Sequence, residues 1–288
     1  MSPVDSEHLH ALLGTAVASF TPVGGGSICV AHRAELSDGR TIFVKTRDGA
    51  PPGFFRTEAL GLERLASARH GVPVPTVLAH DHRCLILEWI GTGVPSAASA
   101  ERFGRALAAT HVSGADVFGS AGGDGWIGSL DLPGGPWKDW PALWAYGRLE
   151  PYLRAARKAG TVDKRTVADV EKVITELPRL AGPAEPPALV HGDLWAGNVL
   201  WTDGGTYLVD PAAHGGHRET DLAMLTLFGL PHLDRVLAAY DEARPLAAGW
   251  RERTALHQLH PVLVHAVLFG GSYGAQAGRL ARQALRAA

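Results

Sequence analysis

The chain has 288 residues, a formal net charge of -2 with its histidines neutral, and a composition that is 46% hydrophobic and 19% charged. That length allows one large domain or two lobes over a substantial core, and the near-neutral charge gives no electrostatic case for nucleic acid or an acidic surface as main partner. Two cysteines, Cys29 and Cys84, are too few for a disulfide framework, the N-terminus lacks a basic stretch followed by an apolar one, and no apolar run approaches the ~20 residues of a membrane span. A cytoplasmic chain with no membrane partner is expected.

Residues 5–18 read as a short helix opened by Asp5 or Ser6, with Leu9, Leu12, Leu13 and Ala16 on one face. The turn Gly24-Gly25-Gly26-Ser27 precedes the alternating run Ile28, Val30, Ala34 and Leu36. Asp38-Gly39 marks a hairpin, and residues 41–46 are the return strand. Glycine lets backbone N–H groups approach a phosphate closely, so Gly24 to Ser27 are candidate phosphate contacts, although three glycines alone most often make only a turn. Lys45 ends the return strand on the same face as Phe43. It points inward and needs an anionic partner. Glu58 can supply it, from a helical segment over 56–65 whose Leu62 and Leu65 pack inward. A strand lysine paired with a glutamate on the next helix grips nucleotide phosphates in kinases; the plain alternative is two solvated surface charges.

Val72-Pro73-Val74-Pro75 is an extended connector, and residues 77–80 and 84–88 are the last strands of a small sheet. Residues 88–91 then run into a Gly/Pro/Ser/Ala stretch reaching residue 100, where a linker between lobes is expected. This divides the chain into an N-terminal nucleotide-binding lobe, 1–90, and a helical catalytic and acceptor-binding lobe, 91–288. Adenine is expected to bond the Glu88 carbonyl and the Ile90 amide.

Beyond the linker, residues 97–111 carry Phe103, Ala106, Leu107 and Thr110 at helical spacing. Residues 114–139 are glycine-rich and irregular, and helices follow over 141–158 and 162–177. Leu189-Val190 then enters His191-Gly192-Asp193-Leu194-Trp195-Ala196-Gly197-Asn198. His-x-Asp-x-x-x-x-Asn is the spacing of a kinase catalytic loop, in which the aspartate orients the attacking hydroxyl and the asparagine holds Mg²⁺. Two apolar runs, 198–201 and 206–210, flank the turn Thr202-Asp203-Gly204-Gly205. A turn centred near Gly204 sets Asn198 opposite Asp210. Two oxygen ligands at a strand end, completed by phosphate and water, suit Mg²⁺ on an ATP tail. Glu219 to Ala223 start a helix capped by Thr220 or Asp221. Only ten residues lead from Asp210 to Thr220, too few for a protein-kinase activation loop. The acceptor is therefore a small molecule, or a small group on a larger one, walled by helices over 232–243, 249–269 and 274–287. The fold class expected is α+β: a two-lobed protein-kinase-like fold with a small antiparallel sheet and a mostly helical C-terminal lobe.

His-Gly-Asp-Leu-Trp-x-Gly-Asn at 191–198, Asp-Pro-Ala at 210–212, Gly216-His217 before Glu219-x-Asp221-Leu222-Ala223, Trp137-x-Asp139-Trp140 and Leu268-Phe269-Gly270 together resemble the fructosamine kinase (ketosamine-3-kinase) family, in the aminoglycoside-phosphotransferase-like branch of the kinase fold. Trp195 narrows the resemblance, since other branches usually carry histidine or lysine there. The resemblance covers essentially the whole chain. It implies ATP-dependent phosphorylation of the 3-hydroxyl of a ketosamine (fructosamine, ribulosamine or erythrulosamine), free or on glycated lysine side chains, as a step of deglycation. It implies Asp193 as the base, Asn198 and Asp210 as Mg²⁺ ligands, Lys45 and Glu58 as the phosphate-binding pair, and Gly24 to Ser27 as the phosphate loop. Many relatives place a cysteine where Ser27 stands. A redox switch through that loop is not expected here, and Cys29 reads as structural.

For the acceptor, Trp195 offers an indole against which the CH faces of a sugar pack; the alternative is a tryptophan that only supports the loop. Trp137, Trp126 and Tyr146 are weaker pocket candidates. Glu219, or alternatively Asp139, is expected to meet the substrate ammonium, and His265 to face the pocket. Asp221 and His191 read as braces of the loop. The spacings of His214, His217, His257, His260 and His265 fit no zinc pattern. Two other readings compete: a kinase for another small hydroxylated amine, aminoglycoside- or choline-like, and a nucleotide-binding pseudokinase. The second predicts loss of Lys45, Asp193, Asn198 or Asp210, and all four are present. A monomer is expected.

Overall fold

The computed structural model describes residues 5–24 and 28–287; Gly25, Gly26 and Ser27 of the expected phosphate loop lie outside them. Asp5 caps helix α1 (Ser6–Leu13), its carboxylate accepting the His8 amide hydrogen at 2.9 Å. The helix stops well short of residue 18. Gly14 turns left-handed at φ 69°, and Val17–Val23 forms strand β1. Strands β2 (Val30–Leu36) and β3 (Thr41–Thr46) follow as the expected hairpin, then helix α2 (Phe54–Ala66) and strands β4 (Val77–His80) and β5 (Cys84–Glu88). The five strands make one antiparallel sheet in the order β1-β2-β3-β5-β4.

Alternation along the strands divides this sheet into two packed faces. Ile42, Val44, Cys84 and Ile86 join Leu9 of α1 on one side. Leu85 and Leu87, with the half-buried Phe43, join Phe55, Ala59 and Leu62 of α2 on the other. Lys45 shares the face of Phe43 and so looks toward α2.

Helix α3 (Ala97–Val112) opens with a capping box between Ser96 and Ser99. The stretch read as irregular contains a short hairpin, β6 (Gly125–Ile127) and β7 (Leu130–Leu132). The helix expected over 141–158 is a composite. One α turn, α4 (Trp140–Ala142), runs into a π-helical segment over Leu143–Leu149 and then into α5 (Glu150–Ala159). Helix α6 (Lys164–Leu180) follows, capped by Asp163. Strands β8 (Ala188–Val190), β9 (Val199–Trp201), β10 (Thr206–Leu208) and β11 (His214–Gly216) form two small antiparallel pairs, β8 with β11 and β9 with β10. The chain closes with helices α7 (Arg218–Leu227), α8 (Leu233–Ala243), α9 (Trp250–Phe269) and α10 (Tyr273–Arg286). His217, not Thr220 or Asp221, caps α7, its Nδ1 accepting the Glu219 amide hydrogen.

One large core joins α5, α6, α9 and α10 through residues such as Leu153, Val173, Leu259 and Ala281. A second holds Phe103 and Leu107 of α3, Val236 and Tyr240 of α8, Leu222 of α7 and Leu194, so the segment between β8 and β9 is anchored through one of its own side chains. No helix of the described residues is long and apolar enough to cross a membrane.

Leu62 is fully buried where α2 meets β5. Leu62→Ala should cost about 2–5 kcal/mol of stability, read by urea unfolding. A loss under ~1 kcal/mol would mean that α2 is not anchored there.

Candidate active site

Lys45 meets two carboxylates. Its Nζ lies 2.9 and 2.8 Å from Oε1 and Oε2 of Glu58 and 3.0 Å from Oδ1 of Asp210. Burial alone would lower the lysine pKa, but Glu58 and Asp210 more than offset it and hold the ammonium above its usual range. Burial also pushes the Glu58 carboxyl up; with both its oxygens on the ammonium, the geometry is that of an ionised pair. Asp210 reaches Lys45 from the other lobe with its side chain 44% exposed, so part of the carboxylate still faces the space between. Its backbone is left-handed at φ 54°, a conformation that aspartate tolerates better than most residues.

The segment between β8 and β9 hangs from Asp221. The Asp221 carboxylate accepts the amide hydrogens of His191 at 2.7 Å and Gly192 at 3.0 Å, and His111 Nε2 lies 3.1 Å from it. Burial works against that charge; hydrogen bonding and charge from His111, then His191, overcome it and hold the carboxyl below its usual range. His191 Nε2 donates to the Val209 carbonyl at 2.9 Å, which fixes the tautomer. Nδ1 then accepts the Asp193 amide hydrogen at 3.3 Å. Gly192 sits at φ 82°, and a Cβ there would stand 2.3 Å from the Ala212 carbonyl oxygen, so only glycine fits.

Asn198 Nδ2 donates to the Asp193 carbonyl at 2.8 Å and lies 3.4 Å from its Oδ2. The Asn198 amide oxygen remains for a cation. The β9–β10 register is one residue off the expected one: Leu208 pairs with Val199, and the Val209 amide hydrogen goes to the Asn198 carbonyl at 3.1 Å. Asn198 therefore faces Val209, and the left-handed turn at Asp210 brings that carboxylate back toward Lys45. The Asn198 oxygen and the Asp210 carboxylate are hard donors with no nitrogen or sulfur among them, which fits Mg²⁺. Burial, then the charges of Asp210 and Asp221, push the Asp193 carboxyl up to about 7. Neutralising Asp210 would favour its ionised form.

Asp193 opens on a cleft lined also by Ile127, Thr220, Met224 and His265. Beside it, Trp195 is 40% exposed and stands edge-on to Phe228, ring centroids 6.1 Å apart; Phe228 meets His265 at 5.3 Å. The indole lies across Gly197, where a Cβ would come 2.2 Å from its ring. Phe228 carries no signal in the sequence; only the end of α7 brings it here.

Several expected acceptor contacts lie elsewhere. Glu219 is 2% exposed, and both its oxygens are held by Arg253, at 2.6 and 2.9 Å, with His257 Nε2 at 3.3 Å. No free carboxylate remains there for a substrate ammonium. Asp139 caps the Trp140 turn, accepting the Ala142 amide hydrogen at 2.8 Å. Trp137 stacks on Tyr146 with ring centroids 6.4 Å apart. Neither Asp139 nor Trp137 lines the Asp193 cleft. The Glu88 carboxylate is engaged by Thr76, whose Oγ1 lies 2.9 Å away, and Ile90 lies just beyond β5. Gly24 is exposed at the end of β1. His217, Glu219 and His257 cluster closely, but His217 Nδ1 accepts a backbone hydrogen, so its neutral ring carries the proton on Nε2 and offers a cation no lone pair there.

A family model described as fructosamine kinase matches residues 1–287. A probable ketoamine kinase from Synechocystis is 37% identical over 92% of this chain and 89% of its own. The crystal structure of a protein from Thermobifida fusca, provisionally assigned as a fructosamine-3-kinase, is 49% identical and superposes with a TM-score of 0.94 over 99% of both chains. An aminoglycoside phosphotransferase solved with ADP and hygromycin B, 19% identical, superposes with a TM-score of 0.66 over 98% of both chains and shares the kinase-like fold.

Asp221→Ala leaves two backbone amides and His111 without their shared acceptor. It should cost about 3–5 kcal/mol of stability, measured by denaturant titration, and phosphotransfer should fall with it. A variant as stable and active as the parent would remove Asp221 from this role.

Proposed function

The chain belongs to the fructosamine kinase family, and from that premise we propose that it transfers the γ-phosphoryl group of ATP to the 3-hydroxyl of a ketosamine, free or on a glycated lysine side chain, so that the adduct is marked for breakdown. The observation that carries this reading is the meeting of Lys45, Glu58 and Asp210 across the lobes, beside Asp193 and the exposed Trp195.

Phosphoryl transfer asks the protein mainly for positioning and charge neutralisation. Lys45, held by Glu58, contacts the phosphates. Asn198 and Asp210 would hold Mg²⁺, which when bound neutralises charge on the phosphate tail. Asp193 accepts a hydrogen bond from the sugar hydroxyl, aims its oxygen at the γ-phosphorus, and takes its proton as the new O–P bond forms and the bond to the ADP leaving oxygen breaks. The CH face of the sugar rests on Trp195. The Glu88 carbonyl and Ile90 amide take the adenine, and Gly24 to Ser27 cover the phosphates. All these roles fall within one chain, so a monomer suffices.

An aminoglycoside acceptor fits less well. A polycation calls for several free carboxylates. Of the acids lining the Asp193 cleft, Asp221 is consumed by the loop and Asp193 is the base, while nearby Glu219 is neutralised by Arg253.

Asp193→Asn should lower kcat by about 10²–10⁴-fold while ATP binding, followed by calorimetry, stays nearly unchanged; undiminished turnover would sink the mechanism. Chelating divalent cations should abolish turnover, and Mg²⁺ should restore it. Trp195→Ala should raise KM for the acceptor and spare KM for ATP. A screen of ATP consumption over ribulose-, erythrulose- and fructose-lysine with an aminoglycoside control decides the acceptor class: activity on the control alone would overturn it.

A further inference from the structure

A second, larger cleft lies against another stripe of α2. It lies between Thr57, Gly61 and Arg64 of α2, the glycine-rich segment 120–125, the residues that follow Asp210, and Arg148. Neither Asp193 nor Lys45 lines it.

Arg148 is the unusual group there. It sits in the π-helical segment before α5 and is 1% exposed. Its Nη1 donates to the carbonyls of Pro133 and Gly147 at 2.9 and 3.0 Å, while its buried Nε donates to nothing. Among the described residues it forms no ion pair. Burial draws its pKa down to about 10, which still leaves the guanidinium charged at neutral pH. A buried charge normally has a partner, because desolvation is costly without one. After burial, the charge of Arg148 is the next cause that holds His214, in the same cleft, neutral with a pKa of about 3.

The surroundings add donors more than acceptors. Arg64 reaches across the cleft to Ser120, Nη1 to Oγ 3.3 Å, and forms no ion pair among the described residues. One acid, the exposed Asp124, stands at the rim with its Oδ1 accepting the Gly134 amide hydrogen at 2.8 Å. Two arginines and one acid thus line the cleft, together with Ser120 and a glycine-rich segment.

We propose that this cleft binds the oxyanion group of a small molecule, a phosphate ester or a carboxylate, with Arg148 and Arg64 as its cationic donors. Arginine suits either group, since its planar fork donates two parallel hydrogen bonds. The site abuts the machinery without belonging to it. A Cβ on Gly61 would stand 3.4 Å from Ala213 Cβ and 3.5 Å from Pro211 Cγ, so the floor of the cleft is the contact between α2, which carries Glu58, and the segment leaving Asp210.

The test is calorimetric titration of the full chain with inorganic phosphate and, separately, acetate. A non-hydrolysable ATP analogue and Mg²⁺ are kept saturating, so that the phosphate grip at Lys45 is already filled; prior titration of the analogue reports independently on the nucleotide site. One equivalent of phosphate or acetate should bind, and Arg64→Gln should weaken it about tenfold, the loss of one charge-assisted hydrogen bond. Arg148→Gln should weaken it further. If Arg148→Gln does not fold, the half-buried Arg64 decides alone. Tighter phosphate points to an ester and tighter acetate to a carboxylate; either supports the site. Absence of binding by both ions, or Arg64→Gln binding as the parent does, overturns it.

Discussion

The contact on which the structure depends is the ammonium of Lys45 between Glu58 and Asp210. It joins a strand, a helix and the opposite lobe at one point. Burying those charges carries a desolvation cost of several kcal/mol per ion that only close, multiple hydrogen bonds offset. The fold meets that condition by construction. Strand alternation puts Lys45 on the α2 face, the Phe55, Ala59 and Leu62 packing fixes where Glu58 stands, and the left-handed backbone at Asp210 turns its carboxylate back across the gap.

Exposure separates the carboxylates by task. Asp221 and Glu219 are at most 2% exposed and fully engaged, one by backbone amides and His111, the other by Arg253. Their charges position other groups. Asp193 and Asp210 are only partly buried and keep contact with the open space between the lobes. The same sorting distinguishes the tryptophans: Trp140 and Trp144 are core, while Trp195 is open.

The sequence made legible what is local. Spacing alone identifies the Asp193–Asn198 segment, the inward lysine, the glutamate on the next helix and the sheet's hairpins, because each follows from a period or a turn. What it concealed depends on residues far apart in the chain. Glu219 looked free because Arg253 lies on another helix. The Asn198–Asp210 register is one residue off, since the turn pairs Thr202 with Gly205 and so centres between Asp203 and Gly204 rather than at Gly204. The first helix looked longer because Ala16 continues its pattern, whereas Gly14 has already ended it. The β6–β7 hairpin is too short to show an alternation, and nothing near Arg148 announces a buried cation.

The suspension of the catalytic loop from Asp221 also has a dynamic consequence. The His191 and Gly192 amides donate to a carboxylate of α7 that is 1% exposed, so water reaches that carboxylate only when α7 and β8 part. Amides held in this way are expected to exchange only through slow, sub-global opening. A few residues on, the backbone of Trp195 is tied to Asp193 and Asn198, while its 40% exposed ring meets Gly197 and the edge of Phe228. The loop is therefore held at both ends, by Asp221 where it enters and by the buried Leu194 and Asn198 further on, and only the Trp195 ring stands open.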